Sequence, residues 1–166
     1  MSATDFVLRP ATSDDCETLL ALIKGLAEYE KLTHLVEATP EKLREALFGP
    51  RPHAEAVLVE VPGTTGPQAV GFALFFHNFS TFLAKPGLYL EDLYVDPAWR
   101  GHGLGKVLLK HLAALAVERG CGRFEWSVLD WNTPSIDFYR AMGADVMPDW
   151  RICRVTGEAL AKLGAA

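Results

Sequence analysis

The chain has little of what would commit it to a metal, a disulfide scaffold, a membrane or a nucleic acid. Its three cysteines, Cys16, Cys121 and Cys153, are odd in number and widely spaced. They form neither a disulfide framework nor a zinc-ligand pattern, and they fit a reducing, cytoplasmic compartment. The histidines, His34, His53, His77, His102 and His111, are scattered without metal-ligand spacing, so no metal is expected. No serine sits in a nucleophile-elbow sequence. No apolar run is long enough to span a bilayer. The opening residues MSATDFVLRP lack the basic and apolar regions of a signal peptide. A basic excess is also missing: 16 Lys and Arg face 21 Asp and Glu, a formal net charge of −5. Phosphate backbones are held by cationic surfaces, so nucleic acid is not an expected partner.

What is present describes an ordinary globular chain. It has 166 residues, of which 49% are hydrophobic and 22% charged. That length supports one buried core. No repeat, low-complexity tract or linker divides residues 1–166, so a single domain is expected. The charge is uneven. Ten acids and five bases fall between Thr12 and Glu60, while the rest of the chain balances. A local acidic excess is most simply a solvated helix face, and it also attracts cations.

Phe6 to Arg9 reads as a strand ended by Pro10. Thr12, Ser13 or Asp14 can cap the following helix, with Glu17 placed three after Asp14 as in a capping box. Cys16, Leu19, Leu20, Ile23, Leu26 and Ala27 make its apolar stripe, and it ends near Tyr29-Glu30. Thr39-Pro40 opens a second helix that Gly49 follows. Ala56–Val61 and Ala69–Phe76 read as a hairpin, and 77–87 as irregular. Tyr89–Val95 is a strand, Gly103–Arg119 a helix with Leu104, Val107, Leu108, His111, Leu112 and Leu115 on its apolar face, and Phe124–Leu129 a strand. Asn132-Thr133-Pro134 starts a short helix reaching Met142-Gly143. Trp150–Val155 reads as a last strand and Thr156–Leu163 as a terminal helix. Consecutive middle strands imply antiparallel pairing, and strand, long helix, strand implies one parallel crossover. The expected class is therefore α/β, a mixed and mostly antiparallel sheet flanked by helices.

The stretch LYLEDLYVDPAWRGHGLGKVLL, 88–109, concentrates the chemistry. Glycines 101, 103 and 105 precede a helix whose positive end faces the same point, so the turn suits an anion, and we read it as a pyrophosphate cradle. The spacing is not that of a dinucleotide fingerprint. Nor is it a Walker loop, because arginine stands at 100 and valine at 107 where that loop needs glycine and Ser or Thr. Glu91 and Asp92 are adjacent acids in an otherwise apolar strand. Neighbouring strand residues face opposite sides, so one of them should meet a packed or cleft face, either paired structurally or working chemically. Tyr139, in the run Ser135-Ile136-Asp137-Phe138-Tyr139, reads by position alone as helix packing.

Arg100-Gly101-His102-Gly103-Leu104-Gly105 resembles the R/Q-x-x-G-x-G/A pattern of the GCN5-related N-acetyltransferases. The likeness runs nearly end to end. LYLEDLYV, RGHGLG, LDWN and FYRAMGA look closest to the diamine (spermidine/spermine) and thialysine branch, and LAEYEKL with GEALAKL leans to the thialysine side. The resemblance implies an acetyl-CoA-dependent N-acetyltransferase acting on a small primary amine. It implies pyrophosphate on the amides of Gly101, His102, Gly103, Leu104, Gly105 and Lys106, beside Arg100. The pantetheine arm would run along Leu93, Tyr94 and Val95, in a splay from Glu125, Trp126 and Ser127, with Asn132 and Ser135 on the far side. Glu91 would take the amine's proton, Asp92 would help bind the amine, and Tyr139 would protonate the leaving thiolate. Tyr29, Glu30 and Phe82 would shape the acceptor pocket. Ser80-Thr81-Phe82 stands where diamine enzymes carry an acid and a tryptophan, which weighs against a long polyamine. The resemblance also implies a homodimer. The alternatives are acetylation of protein lysines or N-termini, and an acyl-CoA-binding domain without catalysis.

Overall fold

The computed structural model describes residues 5–165. They fall into two compact units, Met1–Ser127 and Val128–Ala166. The first contains β1 (Val7–Pro10), α1 (Cys16–Glu30), α2 (Pro40–Phe48), β2 (Glu55–Gly63), β3 (Gly66–Ser80), β4 (Lys85–Val95), α3 (Leu104–Glu118) and β5 (Phe124–Trp126). The second contains α4 (Thr133–Ala141) and α5 (Gly157–Gly164). The sheet order is β1-β2-β3-β4-β5. Every pair is antiparallel except β4–β5, which is parallel across the α3 crossover. The mixed α/β architecture expected from the sequence is the one observed.

Both faces of the sheet are covered, so its central strands are apolar on both sides. On one face Leu19, Leu22 and Leu26 of α1 and Leu47 of α2 bury Leu58, Phe72 and Tyr94. The helix lies close: a Cβ on Gly25 would come within 2.5 Å of the Tyr94 hydroxyl oxygen. On the other face α3 packs against β2, β3 and β4, with Leu104, Leu108 and Leu112 buried. A Cβ on Gly105 would meet Leu93 and Val95 at ordinary contact distances of 3.8 and 4.0 Å, which sets those two side chains on the α3 face.

Local chemistry explains most element ends. Thr39 Oγ1 accepts the Lys42 N–H at 3.2 Å and Pro40 occupies the first helical position of α2. The start of α1 departs from expectation. A short 3-10 turn, Ser13–Asp15, precedes it; Thr12, one of the three expected caps, is its N-cap, and the acid that completes the capping box is Asp15 rather than Glu17. Asp15 Oδ2 accepts the Thr12 N–H at 2.7 Å, and both Asp15 oxygens accept from Arg9 at 2.8 Å. Arg9 also donates to Glu60 Oε1 of β2 at 2.7 Å, so one guanidinium ties β1, β2 and the start of α1 together.

Four other expectations are corrected. The stretch 77–87 is a continuous hairpin, with β3 and β4 paired from Gly71↔Val95 to Ser80↔Lys85. Its outward aromatics hid the alternation: Phe79 is exposed, and Phe82 at the turn is fully so. The fifth strand stops at Trp126 instead of running to 129. His111 is exposed on α3, whose buried face runs through Leu109 and Ala116 instead. Residues 150–155 form no strand, and Trp150 and Ile152 are exposed. The terminal helix does form, as α5.

Arg9 holds the Asp15 carboxyl at about 2, below the ordinary 3.8. Asp15→Asn should therefore cost about 2 kcal/mol at pH 7 in urea unfolding. That stabilisation is complete above about pH 4 and fades as the pH falls toward 2. The gap between wild type and variant should close over the same window, and a gap independent of pH would count against the pairing.

Candidate active site

The site is organised by β4, and its geometry turns on one extra residue. Phe75 pairs with Leu90 and Leu74 with Asp92, so Glu91 is left out of the β3–β4 ladder as a bulge. Leu90 and Leu93 consequently share the α3 face although they are three apart. Asp92 joins Leu74 and Tyr94 on the α1 face. Glu91 is exposed and Asp92 half-buried. Burial, first, then the neighbouring Glu91 and Glu30 carboxylates raise the Asp92 proton affinity to about 6. Glu30, at the end of α1, is itself raised by burial. Two other carboxyl groups, those of Glu91 and Glu30, thus make ionisation of Asp92 harder. A cation placed among them relieves that repulsion.

β5 pairs with β4 only at Leu88↔Phe124, Tyr89↔Glu125 and Leu90↔Trp126. From Glu91 to Val95 that edge of β4 has no strand beside it among the described residues, and apart from Val95 O, which accepts from Arg100, it leaves backbone donors and acceptors for an extended ligand. On the β5 side, Tyr89 and Ser127 share a 2.8 Å hydroxyl hydrogen bond, and Glu125 is bridged to Arg123 Nε at 2.6 Å. Trp126 is half-buried, its ring 4.9 Å from that of Phe124.

Beyond Val95 the chain turns through Asp96, whose Oδ1 accepts the Ala98 N–H at 2.8 Å. Gly101 and Gly103 adopt φ of 81° and 78°, and Gly103 caps α3. The first intrahelical bond runs from Val107 N–H to Gly103 O at 3.0 Å, so the N–H groups of Leu104, Gly105 and Lys106 lie in the unsatisfied first turn. A Cβ on Gly101 or Gly103 would meet nothing within 4 Å. The conformation, not crowding, calls for glycine, and the space over the amides is open. This arrangement fits a diphosphate on backbone donors. His102 is exposed, its Nδ1–H donating to the carbonyls of Trp99 and Arg100 at 3.2 and 3.1 Å. The Arg100 side chain leaves the loop: Nε–H donates to Val95 O at 3.0 Å, and the guanidinium lies 4.6 Å from the Tyr29 ring centroid and 5.7 Å from that of Tyr94. Next to it, a cavity of about 580 Å3 between α1 and the ends of β3 and β4 is lined by Gly25, Glu28, Tyr29, Tyr94, Asp96 and others. Gly25, Glu28 and Asp96 escaped the sequence reading, since none has a periodic or motif signal.

In the second unit, Asn132 is buried and caps α4, its Oδ1 accepting the Ser135 N–H at 3.4 Å. Tyr139 is half-buried in α4 beside Phe138, ring centroids 5.4 Å apart. Phe82 stands exposed at the β3–β4 turn and lines no cavity described above.

The framework is a mixed sheet with a bulged fourth strand, a partly paired parallel fifth strand and a glycine turn onto a helix, and by its relatives the chain is an N-acetyltransferase. The chain belongs to the acetyltransferase (GNAT) family, whose model matches residues 22–144. It is 38% identical over 164 residues to a thialysine N-epsilon-acetyltransferase of Bos taurus, covering 95% of this chain and 96% of that one. It is 36% identical to an L-ornithine N5-acetyltransferase of Arabidopsis thaliana, covering 92% and 85% respectively. Among solved structures, an integron cassette protein from the mobile metagenome of V. cholerae shares the fold, with a TM-score of 0.80 at 23% identity over 97% of this chain and 98% of that one.

Two outcomes follow from the site's geometry. Gly103→Ala should cost about 1 kcal/mol of stability, because φ stays positive, whereas Gly105→Ala should carry no such cost. Calorimetry and thermal melts on the two variants would separate them. Asp92 is the second case. Its raised proton affinity means that the ionised carboxylate costs stability, increasingly from about pH 4 to about 6 and constantly above. Asp92→Asn should therefore stabilise the free protein by about 1 kcal/mol at pH 7.5 and by almost nothing at pH 4.

Proposed function

We propose that residues 1–166 form one acetyl-CoA-dependent N-acetyltransferase domain that acetylates a small primary amine, thialysine- or lysine-like or a short diamine. The observation that carries this reading is Asp92, half-buried on the α1 face of β4 beside the bulged Glu91, where burial and the Glu91 and Glu30 charges raise it to about 6. An alkyl amine is cationic at neutral pH and must shed a proton before it can attack. Carboxylates that repel one another attract the ammonium, and a carboxyl near neutrality is suited to accept its proton. The relatives named for thialysine and for L-ornithine both acetylate a side-chain amine of an amino acid. That favours an amino-acid-like acceptor over a long polyamine.

When bound, the donor supplies an acetyl thioester. Backbone amides from Gly101 to Lys106 would hold its diphosphate, and the free edge of β4 at Leu93, Tyr94 and Val95 would align its arm. Leu93 to Val95, with Glu125, Trp126 and Ser127 of the first unit, would complete the proposed donor surface, and Asn132 and Ser135 of the second are assigned to the donor by the family resemblance alone. The amine nitrogen bonds to the carbonyl carbon, the carbon–sulfur bond breaks, and the nitrogen's proton passes to a carboxylate. Glu91 was the expected base. Its exposure on the bulge leaves it acting through water, whereas half-buried Asp92 is the better placed acceptor. Tyr139 would give the phenolic proton to the leaving sulfur. The branch resemblance also supports a cytoplasmic homodimer.

Steady-state assays with acetyl-CoA against lysine analogues, ornithine, short diamines, polyamines and peptides test the reading. Turnover on amino-acid side-chain amines is expected, and no turnover on any free amine would sink it. Tyr139→Phe should lower kcat by about 100-fold while CoA affinity stays within about threefold. An equal loss in both would assign Tyr139 to packing.

A further inference from the structure

Arg100 opens the glycine turn, and its charge invites a phosphate. Its side chain is committed elsewhere. The Nε–H is held by Val95 O at 3.0 Å, which orients the guanidinium plane. That plane lies over Tyr29, with its carbon 4.6 Å from the ring centroid, and reaches Tyr94 at 5.7 Å. Cation–π contact of this kind favours a planar guanidinium over an ammonium. Three pieces of the site meet at this one side chain. It is covalently next to Gly101, whose φ of 81° begins the turn. It is bonded to the last residue of the strand that carries Glu91 and Asp92. It is stacked on Tyr29, which adjoins Glu30 at the end of α1, where Lys31 takes a φ of 61° and ends the helix.

We propose that Arg100 is a positioning residue that couples the donor loop to the acceptor wall. Phosphates settling on the 101–106 amides fix the turn; the turn fixes the guanidinium, and the guanidinium fixes Tyr29 and hence Glu30. Donor binding thereby organises the amine site, and by linkage the amine tightens the donor. This rests on the acceptor reading given above, which places Tyr29 and Glu30 beside the amine.

The test uses the full chain with CoA as the probe. CoA is titrated calorimetrically into wild type, Arg100→Lys, Arg100→Met and Tyr29→Leu, and amide exchange over residues 27–35 is followed with and without CoA. In wild type, CoA should slow exchange in that segment; in Arg100→Met and Tyr29→Leu it should not. CoA affinity should fall less than about threefold in Arg100→Met, while the amine KM rises about fivefold or more in both arginine variants with kcat nearly unchanged. The Arg100→Met and Tyr29→Leu effects on KM should not add. A tenfold or greater loss of CoA affinity in Arg100→Met, restored in Arg100→Lys, makes Arg100 a phosphate ligand and overturns the proposal. So does wild-type exchange that ignores CoA, or additivity of the two variants. If Arg100→Met does not fold, Arg100→Lys and Tyr29→Leu still decide. If wild type acetylates no amine, the acceptor reading fails, and the exchange and calorimetric arms still report on Arg100.

Discussion

The structure depends on how one strand satisfies two faces at once. β4 must present apolar side chains to α3 and to α1, and it also carries the adjacent carboxyl groups of Glu91 and Asp92. A strand with strict alternation cannot place Leu90 and Leu93 on the same face. The extra residue at Glu91 resolves this: it shifts the pairing with β3 by one and hands Leu90 to the α3 face and Asp92 to the α1 face. The same point marks where β5 stops pairing, after Leu90↔Trp126. The adjacent acids and the open edge therefore begin at the same point of the strand.

Rigidity around that point comes from ordinary packing. Tyr94 is buried against Leu19, Leu22, Leu26 and Phe72, and Gly25 lets α1 approach until the Tyr94 hydroxyl nearly touches its backbone. A helix so close cannot slide without colliding, so the body of α1 around Gly25 is held in place relative to the strand. Arg9, shared between Asp15 and Glu60, anchors the opposite end of the same helix. The charged groups remain where desolvation disfavours them because apolar contacts on both sides hold their backbones.

Much of this was legible in the residues. The glycine turn, the caps at Thr39 and Asn132 and the parallel crossover follow from short-range chemistry, and short-range chemistry is what a sequence displays. The division of labour between Glu91 and Asp92 was not legible, because a one-residue change in register exchanges the faces of a strand. The hairpin at 77–87 was hidden for a related reason. Pro86-Gly87 looks like a breaker, yet Gly87 pairs with Asn78 and has no room for a Cβ because the Asn78 amide oxygen occupies that space. Arg100 misled in a third way. Charge beside glycines suggests a phosphate, and the rings that hold it, Tyr29 and Tyr94, lie on other elements that only the fold brings near.

The unpaired side of β4 from Glu91 to Val95 has a consequence apart from chemistry. A bare strand edge is a template for any extended chain, including a neighbouring copy in a crowded solution. A ligand that lies along the edge caps it and also shifts the folding equilibrium by mass action. Resistance to aggregation and to proteolysis would then track the supply of that ligand.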